Sequence, residues 1–368
     1  MVTLKIDERT VCVPEGTTIL DAALSAGIQI PHLCYLKEIN EIGACRLCCV
    51  QVEGEEKLIP ACNNVVAEGM KISTNSPRVR RARQTNLRLI LSKHDARCAL
   101  CARSGNCQLQ AVCNELGVVS NPFEEDLPSP KLRQWSRHFP LIRDTAKCIE
   151  CMRCIQICDK VQSLSVWDLV ATGGRTRVDV SGNRLIRESD CAICGQCITH
   201  CPVGALYERD DVQKVLRALE DPDTVTVVQI APAVRAAWRE AEFEMADSTI
   251  RVAVASGLGN ARALCEAILK GEVHYHFVEI MACPGGCVGG GGQPIHCDDI
   301  ERAHERGQVL YGLDRVSAVR FSHENADVMA LYRDELGAPL SEEAEKWLHT
   351  DHFGWQMPGE TARTGSAE

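Results

Sequence analysis

The sequence predicts an α+β multidomain chain in which small cysteine-rich units over residues 1–210 precede a larger α/β domain over 222–356. Three observations predict it. Most of the 22 cysteines among 368 residues fall before residue 202, in groups of repeated spacing. The first stretch alternates short apolar runs with a capped helix. After Asp221 the composition turns to β-branched apolar runs separated by helical patterns. With 4% aromatic residues, the amino-terminal half has to gain much of its order from bound metal, which supplies folding free energy to small modules. In a reducing compartment, cysteines at such density point to ligation rather than disulfides. The net charge of -10 disfavours nucleic acid as a partner. Met1 to Thr10 lacks a basic start followed by an apolar stretch, and no uncharged apolar run approaches the roughly 18 residues of a membrane span. The expectation is a cytoplasmic protein with no membrane contact.

Residues 1–76 read as the first unit. Thr3 to Ile6 and Thr10 to Val13 alternate around a polar turn and form a hairpin, and Thr18, with Asp21 three residues on, caps a helix from Ile19 to Ala26 that Gly27 ends. A second helix opens the unit at 77–120, because Ser76-Pro77 suits its start, and runs to about Ser92. It carries Arg78, Arg80, Arg81, Arg83 and Arg88, which read either as a solvated face or as a docking strip for an acidic ferredoxin or partner subunit. Residues 121–139 read as a linker, and its stretch Asn121 to Lys131, rich in Pro, Glu and Asp, has little to bury. Residues 140–210 form another cysteine unit. Beyond it, Thr224 to Ile230 and Ile250 to Ala255 read as strands, the second followed by Gly257-Leu258-Gly259-Asn260 and a helix. A lone Gly-x-Gly is read as a tight strand-to-helix turn rather than a nucleotide site. Ser322 to Leu336 and Ser341 to Leu348 read as helices, and 357–368 as a polar, disordered tail.

Four ligand sets stand out. Cys34, Cys45, Cys48 and Cys62 are separated by ten, two and thirteen residues, and Gly43 frees the backbone to turn its amides toward a bound group. His94, Cys98, Cys101 and Cys107 follow a His-x3-Cys-x2-Cys-x5-Cys pattern. Cys148, Cys151, Cys154 and Cys158 repeat the spacing of Cys191, Cys194, Cys197 and Cys201, with Pro202 after the second run, which is the two-cluster ferredoxin signature. The fourth cysteine of each run then ligates the other cluster: Cys148, Cys151, Cys154 with Cys201, and Cys191, Cys194, Cys197 with Cys158. Eight cysteines in two phased repeats exceed what a zinc site takes. His200 reads as a neighbour, Cys12 and Cys49 as small buried apolar residues, and Cys113 is left over.

The first set resembles the 2Fe-2S ferredoxin domain of complex I and of iron-only hydrogenases, and so implies a β-grasp fold and a 2Fe-2S cluster. The second resembles their His-ligated 4Fe-4S cluster, in which a neutral imidazole replaces one thiolate and shifts the potential. The run Glu279-Ile280-Met281-Ala282-Cys283-Pro284-Gly285-Gly286-Cys287-Val288-Gly289-Gly290-Gly291-Gly292-Gln293-Pro294 resembles the last of three signatures around the iron-only hydrogenase active site. Gln229 to Arg235 resembles the opening of that catalytic domain, and the helices ending near His352-Phe353 resemble the family's small subunit.

The departure matters more than the match. The family holds its hydrogen-activating cluster with two cysteines of this last signature and one each from a Thr-Ser-Cys-Cys-Pro and a Pro-Cys-x-x-Lys-x-x-Glu segment, and neither segment is present here. The chain passes from the Gln229-to-Met245 region almost directly to Ile250-Arg251-Val252, as though the middle of a truncated α/β hydrogenase-like domain were removed. The remnant then reads either as a glycine-rich fold element or, through Cys265, Cys283, Cys287 and Cys297, as a further 4Fe-4S site. No nucleophile with its base, flavin site or complete nicotinamide site is visible, so no catalytic residue is expected. The resemblance implies an electron carrier with one 2Fe-2S and three 4Fe-4S clusters, serving a flavin-based electron-bifurcating complex such as the Stn-type NADH/ferredoxin:NADP transhydrogenases. The implied partners are a flavin- and NAD-binding subunit, a second flavin or NADP-binding subunit, and ferredoxin. The alternatives are an iron-only hydrogenase subunit whose central segment is absent from this chain, or a freestanding iron-sulfur scaffold or sensor.

Overall fold

The computed structural model describes residues 1–120, 139–221, 239–245, 248–290, 302–316, 324–338 and 341–348. Strands β1 (Val2–Ile6) and β2 (Arg9–Val13) form an antiparallel hairpin, Val2 opposite Val13 and Ile6 opposite Arg9. Its two turn residues, Asp7 and Glu8, have φ of 44° and 66°, the hand that matches strand twist in a two-residue hairpin. Val11 and Val13 point into the core, and the period of two turns Cys12 outward. Cys12 is therefore exposed, which corrects its reading as a small buried residue; Cys49 is buried. Helix α1 (Ile19–Ser25) starts where the Thr18 hydroxyl accepts the Asp21 N–H at 3.1 Å. Strands β3 (Cys49–Val52), β4 (Ile59–Pro60) and β5 (Lys71–Ser73) complete a five-stranded sheet of order β2-β1-β5-β3-β4, with β1 parallel to β5 and the other pairs antiparallel. The buried Ile19, Leu20, Ala22 and Ala23 of α1 share one apolar core with Leu4, Ile6, Val50 and Ile72 of the sheet. Each fully buried Ile or Leu contributes about 2 kcal/mol.

Helix α2 (Pro77–Leu91) is capped by Ser76, whose Oγ accepts the Val79 N–H, with proline in its first turn. Its buried residues are Val79, Arg83, Leu87 and Leu91, a spacing of four that draws one stripe along the helix. Arg83 thus leaves the basic strip. It is 3% exposed and donates from Nη2 to the Cys49 carbonyl at 2.9 Å, whereas Arg78, Arg80, Arg81 and Arg88 are exposed. Helix α3 (Gln108–Leu116) follows and stops at Gly117.

The next unit contains β6 (Leu141–Arg143), α4 (Arg153–Gln156) continued by a π-turn over Ile157–Val161, β7 (Trp167–Val170), β8 (Arg177–Val180), α5 (Gln196–Thr199) and β9 (Leu206–Glu208). β6 pairs with β9 and β7 with β8, both antiparallel. One core joins Leu33 and Leu47 to Leu87 and Leu91 of α2, Leu109 and Val112 of α3, and Phe139, Trp167, Val180 and Leu206. The cysteine-rich units therefore pack as a continuous body rather than as beads.

After α6 (Val212–Glu220) come β10 (Arg239–Met245), β11 (Ser248–Ser256), α7 (Leu258–Leu269) and β12 (Phe277–Met281). β10 is antiparallel to β11, and β11 runs parallel to β12 with α7 as the crossover. The β10 strand was not expected; the Thr224-to-Ile230 strand, the stretch Asn121 to Lys131 and the 357–368 tail lie outside the described residues. Helices α8 (Ala303–Val316), α9 (Ala326–Leu331) and α10 (Glu342–Leu348) complete the chain's described elements. Asn325 caps α9, and Leu331 passes into a π-turn ending at Leu336, so the helix expected over Ser322 to Leu336 is shorter and changes pitch. Among the described residues no helix is long and apolar enough to cross a membrane.

Candidate cluster sites

The first set is drawn together by the turn between α1 and β3 and by the end of β4. The Cys34 and Cys45 Sγ atoms lie 3.5 Å apart, and Cys62 lies close enough to Cys34 and Cys48 to couple with both. Hydrogen bonds from Cys45 and then Cys62 hold the Cys34 thiol down at about 2, and the bond from Cys62 brings Cys48 down to about 7. Cys45 and Cys62, the partners that keep their protons, are pushed up. Arg46 between them has φ of 54° and Gly43 has 65°.

His94 is 6% exposed. Its Nδ1 lies 2.9 Å from the Lys147 carbonyl, so Nδ1 carries the hydrogen and Nε2 keeps its lone pair, the tautomer of a metal-binding histidine. Burial also lowers its pKa and keeps the ring neutral. Cys107, at the start of α3, has Sγ 3.8 Å from the Pro202 carbonyl. A β-carbon on Gly204 would come within 2.6 Å of Cys101 Sγ, so the segment after Cys201 seats two cysteines of the histidine set. Cys98 is exposed, and Cys113 is half-buried near Cys107.

Two cavities sort the eight cysteines of the repeat. One is lined by Cys148, Cys151, Cys154 and Cys201 with Ile149, Trp167 and Val203. The other is lined by Cys158, Cys191, Cys194 and Cys197 with Leu164, Val166 and Ile198. In this grouping the last cysteine of each run crosses to the other cavity. The two Cys-x2-Cys loops share a backbone pattern, with Glu150 and Met152 at φ of 53° and 62° and Ile193 and Gly195 at 55° and 69°. A left-handed β-branched residue is costly, and backbone of alternating hand is of the kind that can turn successive N–H groups toward an anion. Burial pushes Cys148 and Cys158 up to about 11, and Cys151, Cys154 and Cys197 higher still. Burial thus favours the protonated form of these thiols, and a cationic metal core would displace their protons. Soft sulfur donors in fours, in apolar cavities, fit an iron-sulfur cluster. Among the described residues no three His, Cys, Asp or Glu side chains gather tightly enough for a single metal ion, and a cluster spreads its thiolates across several irons.

Family comparisons agree with this order. Residues 1–77 match the 2Fe-2S iron-sulfur cluster binding domain, 83–122 the NADH-ubiquinone oxidoreductase-G iron-sulfur binding region, and 147–205 the 4Fe-4S dicluster domain. Residues 213–291 match the iron only hydrogenase large subunit, C-terminal domain, and 300–355 the iron hydrogenase small subunit. The NADP-reducing hydrogenase subunit HndD of Solidesulfovibrio fructosivorans is 27% identical over 96% of this chain and 99% of its own length. The chain is an iron-sulfur subunit related to the iron-only hydrogenases. Its alignment with that relative runs over 581 positions against 368 residues here, so a long stretch of the hydrogenase has no counterpart. The NADPH-Fe(3+) oxidoreductase subunit alpha of Geobacter sulfurreducens is 37% identical over 57% of this chain, which spans about a quarter of that relative's length, 24%. The NAD+-reducing [NiFe]-hydrogenase structure superposes with a TM-score of 0.52 at 29% identity, over 56% of this chain and 86% of that one.

The hydrogenase-like remnant sits against the second cavity. The Cys283 thiol lies 3.5 Å from the Cys194 carbonyl, and Gln196 Nε2 donates to the Gly289 carbonyl. Cys265 is exposed on α7, away from the packed face of that helix at Ala261 and Leu264. The Cys287 side chain and Cys297 lie outside the described residues.

Sequence reasoning missed the side chains that tie the sets together. Asn40 is fully buried, and its Nδ2 donates both to the Cys34 carbonyl at 2.7 Å and to the Cys151 carbonyl at 2.9 Å. Arg153, 1% exposed, donates to the carbonyls of Tyr35 at 2.8 Å and Cys34 at 3.4 Å. Nothing local marks an asparagine 111 residues from its partner.

Proposed function

We propose that this chain is the electron-wiring subunit of a NAD(P)H-linked oxidoreductase complex, holding one 2Fe-2S cluster on Cys34, Cys45, Cys48 and Cys62 and three 4Fe-4S clusters. These take His94 with Cys98, Cys101 and Cys107; Cys148, Cys151, Cys154 with Cys201; and Cys191, Cys194, Cys197 with Cys158. The observation that carries it is the bridging of one ligand set to the next: Asn40 and Arg153 join the Cys34 set to the first run of the repeat, and Pro202 and Gly204 join the repeat to the histidine set. When bound, the clusters supply one-electron storage at fixed points. The protein's part is to hold neighbouring ligand sets in one rigid core, keep water out with Leu164, Val166 and Trp167, and fix His94 in its ligating tautomer. The sheet, helix and parallel central strands of residues 1–76 are read as a β-grasp. The finer reading is a cytoplasmic bifurcating transhydrogenase, with electrons exchanged among a flavin- and NAD-binding subunit, a second flavin or NADP-binding subunit, and ferredoxin.

Iron analysis of the anaerobically prepared chain tests the ligand sets. The count expected is about 14 irons, rising to about 18 if the remnant binds a cluster as well; about 10 would remove one 4Fe-4S assignment. Purification with flavin-containing partners, and bleaching of the clusters by NADH or NADPH in that complex, tests the wiring. Replacing His94 with Cys should retain a cluster and lower its potential, because it adds a thiolate charge beside the iron. A redox titration of His94→Cys that overlays the parent would assign the histidine a structural role alone.

A further inference from the structure

The remnant's first helix reaches the second cavity through one side chain. Gln162, at the end of the π-turn after Cys158, is 1% exposed and lines the cavity formed by Cys158, Cys191, Cys194 and Cys197. Its Oε1 accepts the N–H of Leu258, the first residue of α7, at 3.1 Å. Among the described residues its Nε2 has no hydrogen-bond partner. The Leu258 N–H can only donate, so it settles which end of the amide faces α7 and leaves the NH2 group on the other side. An unpaired buried donor costs about 1–3 kcal/mol, and an amide held in that state needs an acceptor that the described residues do not provide. The contact is tight: a β-carbon on Gly259 would come within 2.6 Å of the Val161 carbonyl, so α7 starts against the backbone next to Gln162.

We propose that Gln162 is a tuning residue that donates an N–H···S hydrogen bond to the 4Fe-4S cluster of this cavity, and that the hydrogenase-like remnant orients it through Leu258. This rests on the assignment of Cys158, Cys191, Cys194 and Cys197 as one cluster's ligands. A hydrogen bond to cluster sulfur stabilises the reduced, more negative state and raises the potential. The remnant then serves electron transfer without any chemistry of its own: it sets the driving force at that cluster.

Two variants of the full chain separate the outcomes. Gln162→Leu removes the donor at similar volume. Leu258→Pro removes the N–H that orients the amide, at the first helical position, where proline is tolerated. EPR-monitored redox titration is expected to show the potential of one 4Fe-4S cluster lowered in Gln162→Leu, with the other clusters unmoved. The expected size is about tenfold in the ratio of reduced to oxidised cluster at fixed potential, equivalent to about 59 mV. Leu258→Pro should shift the same cluster in the same direction by less. A full iron count with every potential unchanged in Gln162→Leu overturns the proposal. If that variant loses iron, an unmoved potential in Leu258→Pro overturns it instead. Parent protein near 10 irons, lacking this cluster, would sink the ligand assignment first and the proposal with it.

Discussion

Chelation of iron under anaerobic conditions is expected to unfold residues 139–210 together with the segment that carries His94. The two cavities of the repeat would then each surround a void lined by four thiols, of which burial keeps Cys154 and Cys197 neutral, losing contacts on one side of every lining residue. The strained left-handed turns at Ile193 and Met152 would lose the anion that justifies them. Structural metal sites supply on the order of 10 kcal/mol, against a total stability of about 5–15 kcal/mol for a domain, so loss of even one cluster consumes most of the margin. The sheet of residues 1–76 has an apolar core of its own under α1 and is the part expected to retain structure longest. Far-UV circular dichroism with limited proteolysis reads this directly: early cleavage across 140–210 and a protected amino terminus. A chelated protein that melts cooperatively at the temperature of the loaded one would show that apolar packing alone suffices.

The second large effect is an absence of hydrogen turnover, even after exposure to the machinery that builds a di-iron subsite. Of the four cysteines that the resemblance calls for, the chain retains Cys283 and Cys287, and the two segments that would carry the others are not in the sequence. Cys283 lies with its thiol beside the Cys194 carbonyl, packed on the neighbouring cluster loop. A site short of half its ligands loses the geometry that its supporting groups could otherwise hold. Hydrogen-dependent dye reduction by the maturated chain is the decisive assay, with a rate at the level of buffer expected. Sustained turnover would favour the alternative of a true hydrogenase subunit and would sink the wiring proposal.

The amino-acid sequence by itself marked the candidate ligand sets and determined the local elements that present them. A Cys-x2-Cys loop closes on itself within one turn, so its spacing alone states its chemistry, and the Ser76-Pro77 start of α2 and the strand-Gly257-helix junction are likewise short-range events governed by caps and backbone angles. The departure from the hydrogenase pattern was equally legible, because missing segments are read by comparison and need no coordinates. Only the tertiary structure decided that Arg83 faces inward, that Asn40 and Arg153 bridge two ligand sets, and that Gln162 is held between a cluster cavity and α7. Those four side chains are polar and stand among residues of ordinary composition. Their long-range partners are backbone groups 34 to 119 residues away, and a backbone carbonyl or amide carries no residue-specific mark, so no pattern along the chain announces them. Burial and long-range packing select these groups, and packing is settled only when the separate units close around one continuous core.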